Sequence, residues 1–189
     1  MLKIGLLKEN DLPSAEKCFR RVEGDLETLG LDAYPRAFAS EESLDQDAKS
    51  NHFYGAKEGI RVIASAGVSH DVLESFFPNS KSQRLFEDLL FSSPYQGEEL
   101  LEIHRFHVDP AYQRKGHGKA LLKAILSSHE EAGFLVLIPT NNKGAISFFT
   151  KNHFAVICKD FALENDAKTS FSVLAYFPKR DGLCRNIGW

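Results

Sequence analysis

Residues 101–120 read Leu-Glu-Ile-His-Arg-Phe-His-Val-Asp-Pro-Ala-Tyr-Gln-Arg-Lys-Gly-His-Gly-Lys-Ala, and the order of residue types in this stretch leaves few folds open. A strand-like run ends at Asp109–Pro110, because proline has no N–H with which to continue a ladder. Gln113 to Gly118 follows as a tight loop punctuated by glycine. From Lys119 to Ala132 the pairs Leu121/Leu122 and Ile125/Leu126 recur at helical spacing, with Gly133 at the C′ position that ends such a helix. Strand, glycine loop and helix start, in that order, present unpaired N–H groups and the positive end of a helix dipole to an anion. Gly116 and Gly118 let the backbone approach a ligand, and Arg114, Lys115 and Lys119 add positive charge. The chemistry implied is phosphate binding.

Two common phosphate loops fail on residues. A P-loop needs a first Gly where Gln113 stands and a hydroxyl where Ala120 stands. A dinucleotide fingerprint needs Gly or Ala at position 121, which is Leu121. The pattern Gln/Arg-x-x-Gly-x-Gly/Ala fits at every fixed position of Gln113–Gly118, and so resembles the pyrophosphate loop of the GNAT N-acetyltransferase superfamily. Further on, Phe134–Pro139 is a continuous apolar run suited to a buried strand. Asn142-Lys-Gly-Ala145-Ile-Ser-Phe148-Phe149 and Phe154 then resemble the superfamily's Asn-x-x-Ala-x-x-aromatic-Tyr-x-x-x-Gly-Phe element. Two positions depart from it, Phe149 in place of Tyr and His153 in place of Gly. Leu2 to Leu7 with Asp11-Leu12-Pro13 resembles the family's opening strand and helix start, with Asp11 as N-cap.

That resemblance implies a mixed α+β fold: a central, mostly antiparallel sheet flanked by helices, with splayed fourth and fifth strands. It implies acetyl-CoA as co-substrate, a primary amine on a small molecule or a peptide as acceptor, and no metal. The coenzyme arm would pair with the backbone of Phe106, His107 and Val108. Its pyrophosphate would lie on Gln113, Arg114, Lys115, Gly116, His117, Gly118 and Lys119, with Asn142, Ala145 and Phe149 beside the arm. Phe149 would lie near the sulfur with no proton to give. For a general base the candidates are Glu102, where some family members carry a catalytic Glu, and His104. Strand alternation would put Glu102, His104, Phe106 and Val108 on one face, and Ile103, Arg105 and His107 on the other. By the same alternation His104 and His107 would not share a zinc ion. Either candidate base could instead be a structural polar residue.

At 189 residues, 43% of them hydrophobic, the chain has material for one ordinary core, and a single domain over 1–189 is expected. A net charge of −3 gives no general reason to expect nucleic acid or an anionic membrane as partner. The N-terminus lacks an apolar stretch long enough for a signal peptide, and no run approaches a membrane span. Cys18, Cys158 and Cys184 make no disulfide framework, so reduced thiols and a cytoplasmic location are expected.

Along the chain, a first helix is expected from Leu12 to Val22 and a second near Asp25 to Asp47. Between Glu23 and Asp47 acidic residues gather, either to receive a cationic amine or as a solvated face. Phe53–Ala56 and Arg61–Ser69 read as a hairpin across Lys57-Glu58-Gly59. An aromatic excursion over 71–99, with a helix at Gln83–Phe91, reads as a lid, a homodimer contact or packing. Ser170–Phe177 gives a last strand. Two other readings stay open: a non-catalytic acyl-CoA-binding module, favoured by Phe149, and a nucleotide-phosphate enzyme.

Overall fold

The computed structural model describes residues 2–31, 41–50, 52–70, 99–163 and 166–178. Seven strands form one sheet: β1 (Leu2–Leu6), β2 (Phe53–Glu58), β3 (Arg61–Ser69), β4 (Leu100–Val108), β5 (Gly133–Pro139), β6 (Ala155–Leu163) and β7 (Asp166–Tyr176), in the order β1-β2-β3-β4-β5-β7-β6. Among the described residues four α-helices accompany them: α1 (Leu12–Thr28), α2 (Glu41–Lys49), α3 (His117–Ser128) and α4 (Lys143–Lys151). Every strand pair is antiparallel except β4–β5. The expected mixed fold is the one observed.

The sheet separates core clusters on its two faces. On one face α3 and α4 cover Ala64, Ala66, Val68, Leu101, Ile103, Val136 and Ile138. On the other, α1 and α2 bring Ala15, Cys18, Leu44 and Ala48 onto Phe53 and Val62. The apolar positions of α1 recur at helical spacing (Ala15, Cys18, Phe19, Val22), which is why that stripe is the buried one.

Several expected boundaries shift. Helix α1 runs through Gly24 to Thr28, so Asp25 belongs to the first helix rather than the second. It stops at Gly30, whose φ of 64° is left-handed, with the Leu31 N–H donating back to Leu26 O at 2.9 Å. Asp11 stands at the N-cap but does not cap; its carboxylate takes Lys57 Nζ at 2.8 and 2.9 Å and the Lys8 N–H. Gly133 does not end a helix. It opens β5, where a Cβ would lie 2.9 Å from the Phe177 ring. Strand β6 was not expected at all. The helix at Gln83–Phe91, the excursion up to Glu98 and the tail from Lys179 lie outside the described residues.

Candidate active site at the β4–β5 opening

Strands β4 and β5 pair over three positions only, Leu100 with Gly133, Leu101 with Phe134 and Glu102 with Leu135. Beyond Glu102 the two strands separate, and β4 keeps β3 as its neighbour on one side. The Asp109 N–H donates to Ile63 O on β3 at 2.9 Å. By alternation the peptide groups of Phe106 and Val108 then face away from β3, into the opening. The Val108 carbonyl there accepts Gln113 Nε2 at 3.1 Å, which ties the glycine loop to the strand end.

Asp109 anchors this junction. Its carboxylate, 1% exposed, accepts Arg21 Nε from α1 at 2.7 Å, Arg61 Nη2 from β3 at 3.0 Å and the Ala111 N–H at 3.0 Å. Burial alone would raise its pKa, but these donors outweigh burial and hold it below the usual carboxylate value. After the Pro110–Tyr112 turn, Arg114 and Gly116 both take left-handed φ, 62° and 85°. No side chain caps α3, whose first backward bond is the Ala120 N–H to Gly116 O. The N–H groups of His117, Gly118 and Lys119 thus open toward the loop, beside exposed Arg114 and Lys119. Lys115 Nζ donates to Ala111 O at 2.8 Å and stacks over Tyr112. Gly118 packs on β4, where a Cβ would come within 3.1 Å of Val108 Cγ2.

On the far side of the opening, Asn142 Oδ1 accepts the Ala145 N–H at 3.0 Å and so starts α4. Ala145 sits half-buried in the first turn of that helix. Phe149 is buried among Phe106, Phe148 and Phe154, at ring distances of 5.3, 5.1 and 5.1 Å.

The expected two faces of β4 do not hold along its length. Gly67 pairs with His104 while Ser65 pairs with His107, so two residues of β4 oppose one of β3, and Arg105 takes φ 50°. This bulge flips the alternation. Leu101, Ile103, Phe106 and Val108 face α3 and α4. His107 instead meets the Phe19 ring of α1 at 4.8 Å, and Glu102 and His104 share that α1/α2 face. His104 and His107 therefore lie on one side, contrary to alternation, but they have different neighbours. Among the described residues no group of three His, Cys, Asp or Glu could hold a metal.

His104 Nδ1 accepts Arg105 Nε at 3.0 Å, and Arg105 Nη2 lies 2.9 Å from Asp47 Oδ2 of α2. An imidazole accepting through Nδ1 is neutral and carries its proton on Nε2. Burial, then Arg105, push its pKa down to about 3, and burial pushes His107 down to about 4. Glu102, 4% exposed, is pushed by burial up to about 8, against the pull of Arg105.

Residues 19–154 match the family described as Acetyltransferase (GNAT) family. The chain belongs to that family. It is an N-acetyltransferase. It is 27% identical over 146 residues to the N-alpha-acetyltransferase RimI of Mycobacterium tuberculosis, a match spanning 77% of this chain and 73% of that protein. Its fold is shared by the ribosomal-protein-S18-alanine N-acetyltransferase of Escherichia coli (TM-score 0.64, 17% identity, 98% and 99% of the two chains). It is shared too by the PaiA N-acetyltransferase of Thermoplasma acidophilum in complex with coenzyme A (TM-score 0.64, 19% identity, 94% and 99%).

The expected loop, strand end and α4 start lie around one opening. Sequence reasoning overlooked Asp109 as the anchor of the loop and Asp47 as a member of the polar cluster. Asp109's arginine partners Arg21 and Arg61 lie far away in the chain, and Asp47 showed only its place beside an apolar stripe, its partner Arg105 being equally distant. No helix among the described residues is long and apolar enough to cross a membrane.

Proposed function

We propose that this acetyltransferase moves the acetyl group of acetyl-CoA to the α-amino group of a peptide or protein by direct attack of the amine on the thioester. One observation carries the coenzyme half: an uncapped helix start behind two left-handed residues, placed beside the opening between β4 and β5. The N–H groups of residues 116–119 would take the pyrophosphate, and the outward peptide groups of Phe106 and Val108 would take the amide-bearing arm. Asn142 and Ala145 flank that arm, while Phe149 shapes the apolar floor beneath it.

The acceptor half rests on the candidate bases. His104 has its lone pair occupied by Arg105, so it cannot take a proton at Nδ1 while that bond lasts. Glu102 is left, and burial raises its pKa, which makes its carboxylate a stronger base than an exposed one. An α-ammonium at about 7.7–8.0 gives up its proton more readily than a lysine ammonium at about 10.4. The α-specific activity in the name of the mycobacterial relative points the same way. The reading includes one domain over 1–189, acting in the cytoplasm, with Cys18 and Cys158 as free thiols.

Thiol release from acetyl-CoA, measured with peptides bearing a free N-terminus, peptides blocked there but carrying lysine, and small amines, tests the proposal. Turnover confined to the free-N-terminus peptides is expected. Turnover of lysine or small amines with the free N-termini untouched overturns the acceptor assignment.

A further inference from the structure

The acidic residues between 23 and 47 do not form one solvated face. Asp45 is half-exposed and pairs with Lys49 at 2.6 Å, one turn along the helix. Asp47 is turned inward: Leu44 and Ala48 seat α2 in the core, and Asp47 on the same side reaches the β4 bulge. Its Oδ2 atom is shut off from solvent and, among the described residues, accepts no well-aligned hydrogen bond, although Arg105 Nη2 stands 2.9 Å away as an ion-pair partner. Gly67 on β3 makes the space. A Cβ there would overlap His104 Cε1 and lie 2.8 Å from Asp47 Oδ2. Two largely buried carboxyls, Asp47 and Glu102, thus feel one guanidinium, and its close contact is with Asp47.

We propose that Asp47 is a positioning residue for proton transfer: by holding the Arg105 guanidinium it denies Glu102 a full counter-charge and leaves that carboxyl to exchange its proton with the acceptor amine. The inference rests on the α-amine reading above. In the step, the Glu102 carboxylate takes one proton from the ammonium. The amine nitrogen attacks the thioester carbonyl, the C–S bond breaks, and the thiolate leaves and takes up one of the two remaining N–H protons, the other staying on the amide. Glu102 then returns its proton to solvent.

The charges around Glu102 support this. The Arg105 guanidinium on β4 lowers its pKa and the Asp47 carboxylate on α2 raises it. Its neighbours in register, Ser69 on β3 and Leu135 on β5, carry no charge. On the same face His104 is neutral, with His107 and His52 as further imidazoles acting on it. With Asp47 neutralised, the negative charge that raises the Glu102 pKa is gone while the Arg105 charge stays, and that pKa falls.

Glutamate labelled with ¹³C at Cδ gives a carboxyl resonance for Glu102, assigned by its loss in Glu102→Gln. In the wild-type protein its titration midpoint and the acidic limb of kcat/KM for the amine coincide. In Asp47→Asn both move to lower pH by about one unit or more, as expected when a nearby charge changes. Coenzyme A affinity by calorimetry stays unchanged, and Asp47→Glu returns both midpoint and limb toward their original pH. Asp47→Ser provides a second neutral side chain should the Asp47→Asn protein fail to fold. A Glu102 midpoint that does not move in a folded neutral variant overturns the proposal, as does a moved midpoint with an unmoved limb. The resonance is read without acceptor or turnover, so failure here is distinguishable from failure of the α-amine assignment.

Discussion

Replacing Gly116 isolates one property of the loop, its left-handed backbone. At φ 85° the residue has nothing within 4 Å of where a Cβ would sit, so alanine brings no clash. What it brings is the backbone penalty for an L-residue, about 1–2 kcal/mol, and a β-branched valine brings about 1–3 kcal/mol. In the ligand-free protein the exposed loop relaxes out of the strained conformation and turns the N–H groups of residues 117–119 aside. The penalty then falls on binding, since the anion needs those groups aligned. At about 1.4 kcal/mol per tenfold, Gly116→Ala weakens coenzyme A by roughly 5- to 30-fold, and Gly116→Val by more. Thermal stability changes little, because the strain is shed in the free state. Calorimetric titration of coenzyme A into both variants, alongside melting curves, reads this out. Wild-type affinity in Gly116→Val would show that the pyrophosphate does not depend on this backbone, and the loop assignment would fail with it.

Phe149→Tyr places a hydroxyl inside a ring cluster with no described polar partner, costing about 1–3 kcal/mol if it is left unpaired, so melting temperature falls by several degrees while turnover per folded enzyme holds or rises. A large loss of rate with coenzyme affinity intact would instead show that the Phe149 ring shapes the acyl pocket. Glu102→Gln lowers kcat by roughly 10²-fold and removes the acidic limb near pH 8, whereas His104→Gln leaves that limb in place; the reverse pattern would transfer the role to His104. Asp109→Asn destabilises the neutral-pH protein by about 1–3 kcal/mol, since its arginine partners are half-exposed and screened. The folded pKa of Asp109 is depressed, so this stability is present above the unfolded value of about 3.9 and is lost as pH falls through the folded value. The gap in melting temperature between wild type and variant therefore narrows in acid, and a gap constant with pH would refute the ion-pair account.

What could be read from the chain was local. Gly116, the helical spacing of Leu121, Leu122 and Ile125, and the apolar run at 134–139 each act within a few residues, and the loop, α3 and β5 follow from them. Strand β6 escaped because its register against β7 shifts three times and Asp160 takes φ 56°, which erases a period of two. Arg105 escaped for a similar reason. Positive φ usually recruits Gly or Asn, and an arginine there gives no warning. Asp47 did leave a trace, lying next to Ala48 in a helix that buries Leu44 and Ala48. An acid on the edge of an apolar stripe is a candidate for an inward partner, but the partner itself was set by the fold.

The bulge at Arg105 would let one strand serve both halves of the proposed reaction. Were β4 regular, the parity that faces Leu101 and Ile103 to α3 and α4 would carry on to Arg105 and His107, burying a guanidinium and an imidazole in the aromatic core. Phe106 and Val108 would turn toward α1. The extra residue reverses that parity midway. Below α3 and α4 the strand then presents Phe106 and Val108 as an apolar floor beside the pyrophosphate loop. Toward α1 and α2 it presents Glu102, His104 and His107, with the Arg105 guanidinium beside Asp47. The same irregularity accounts for Gly67, because the crowded side chains of the bulge leave no room for a Cβ opposite them. On the proposed function, coenzyme contacts and proton chemistry would lie on opposite faces of one strand, so substitutions at Glu102 or Asp47 should leave coenzyme affinity untouched while those at Gly116 should not.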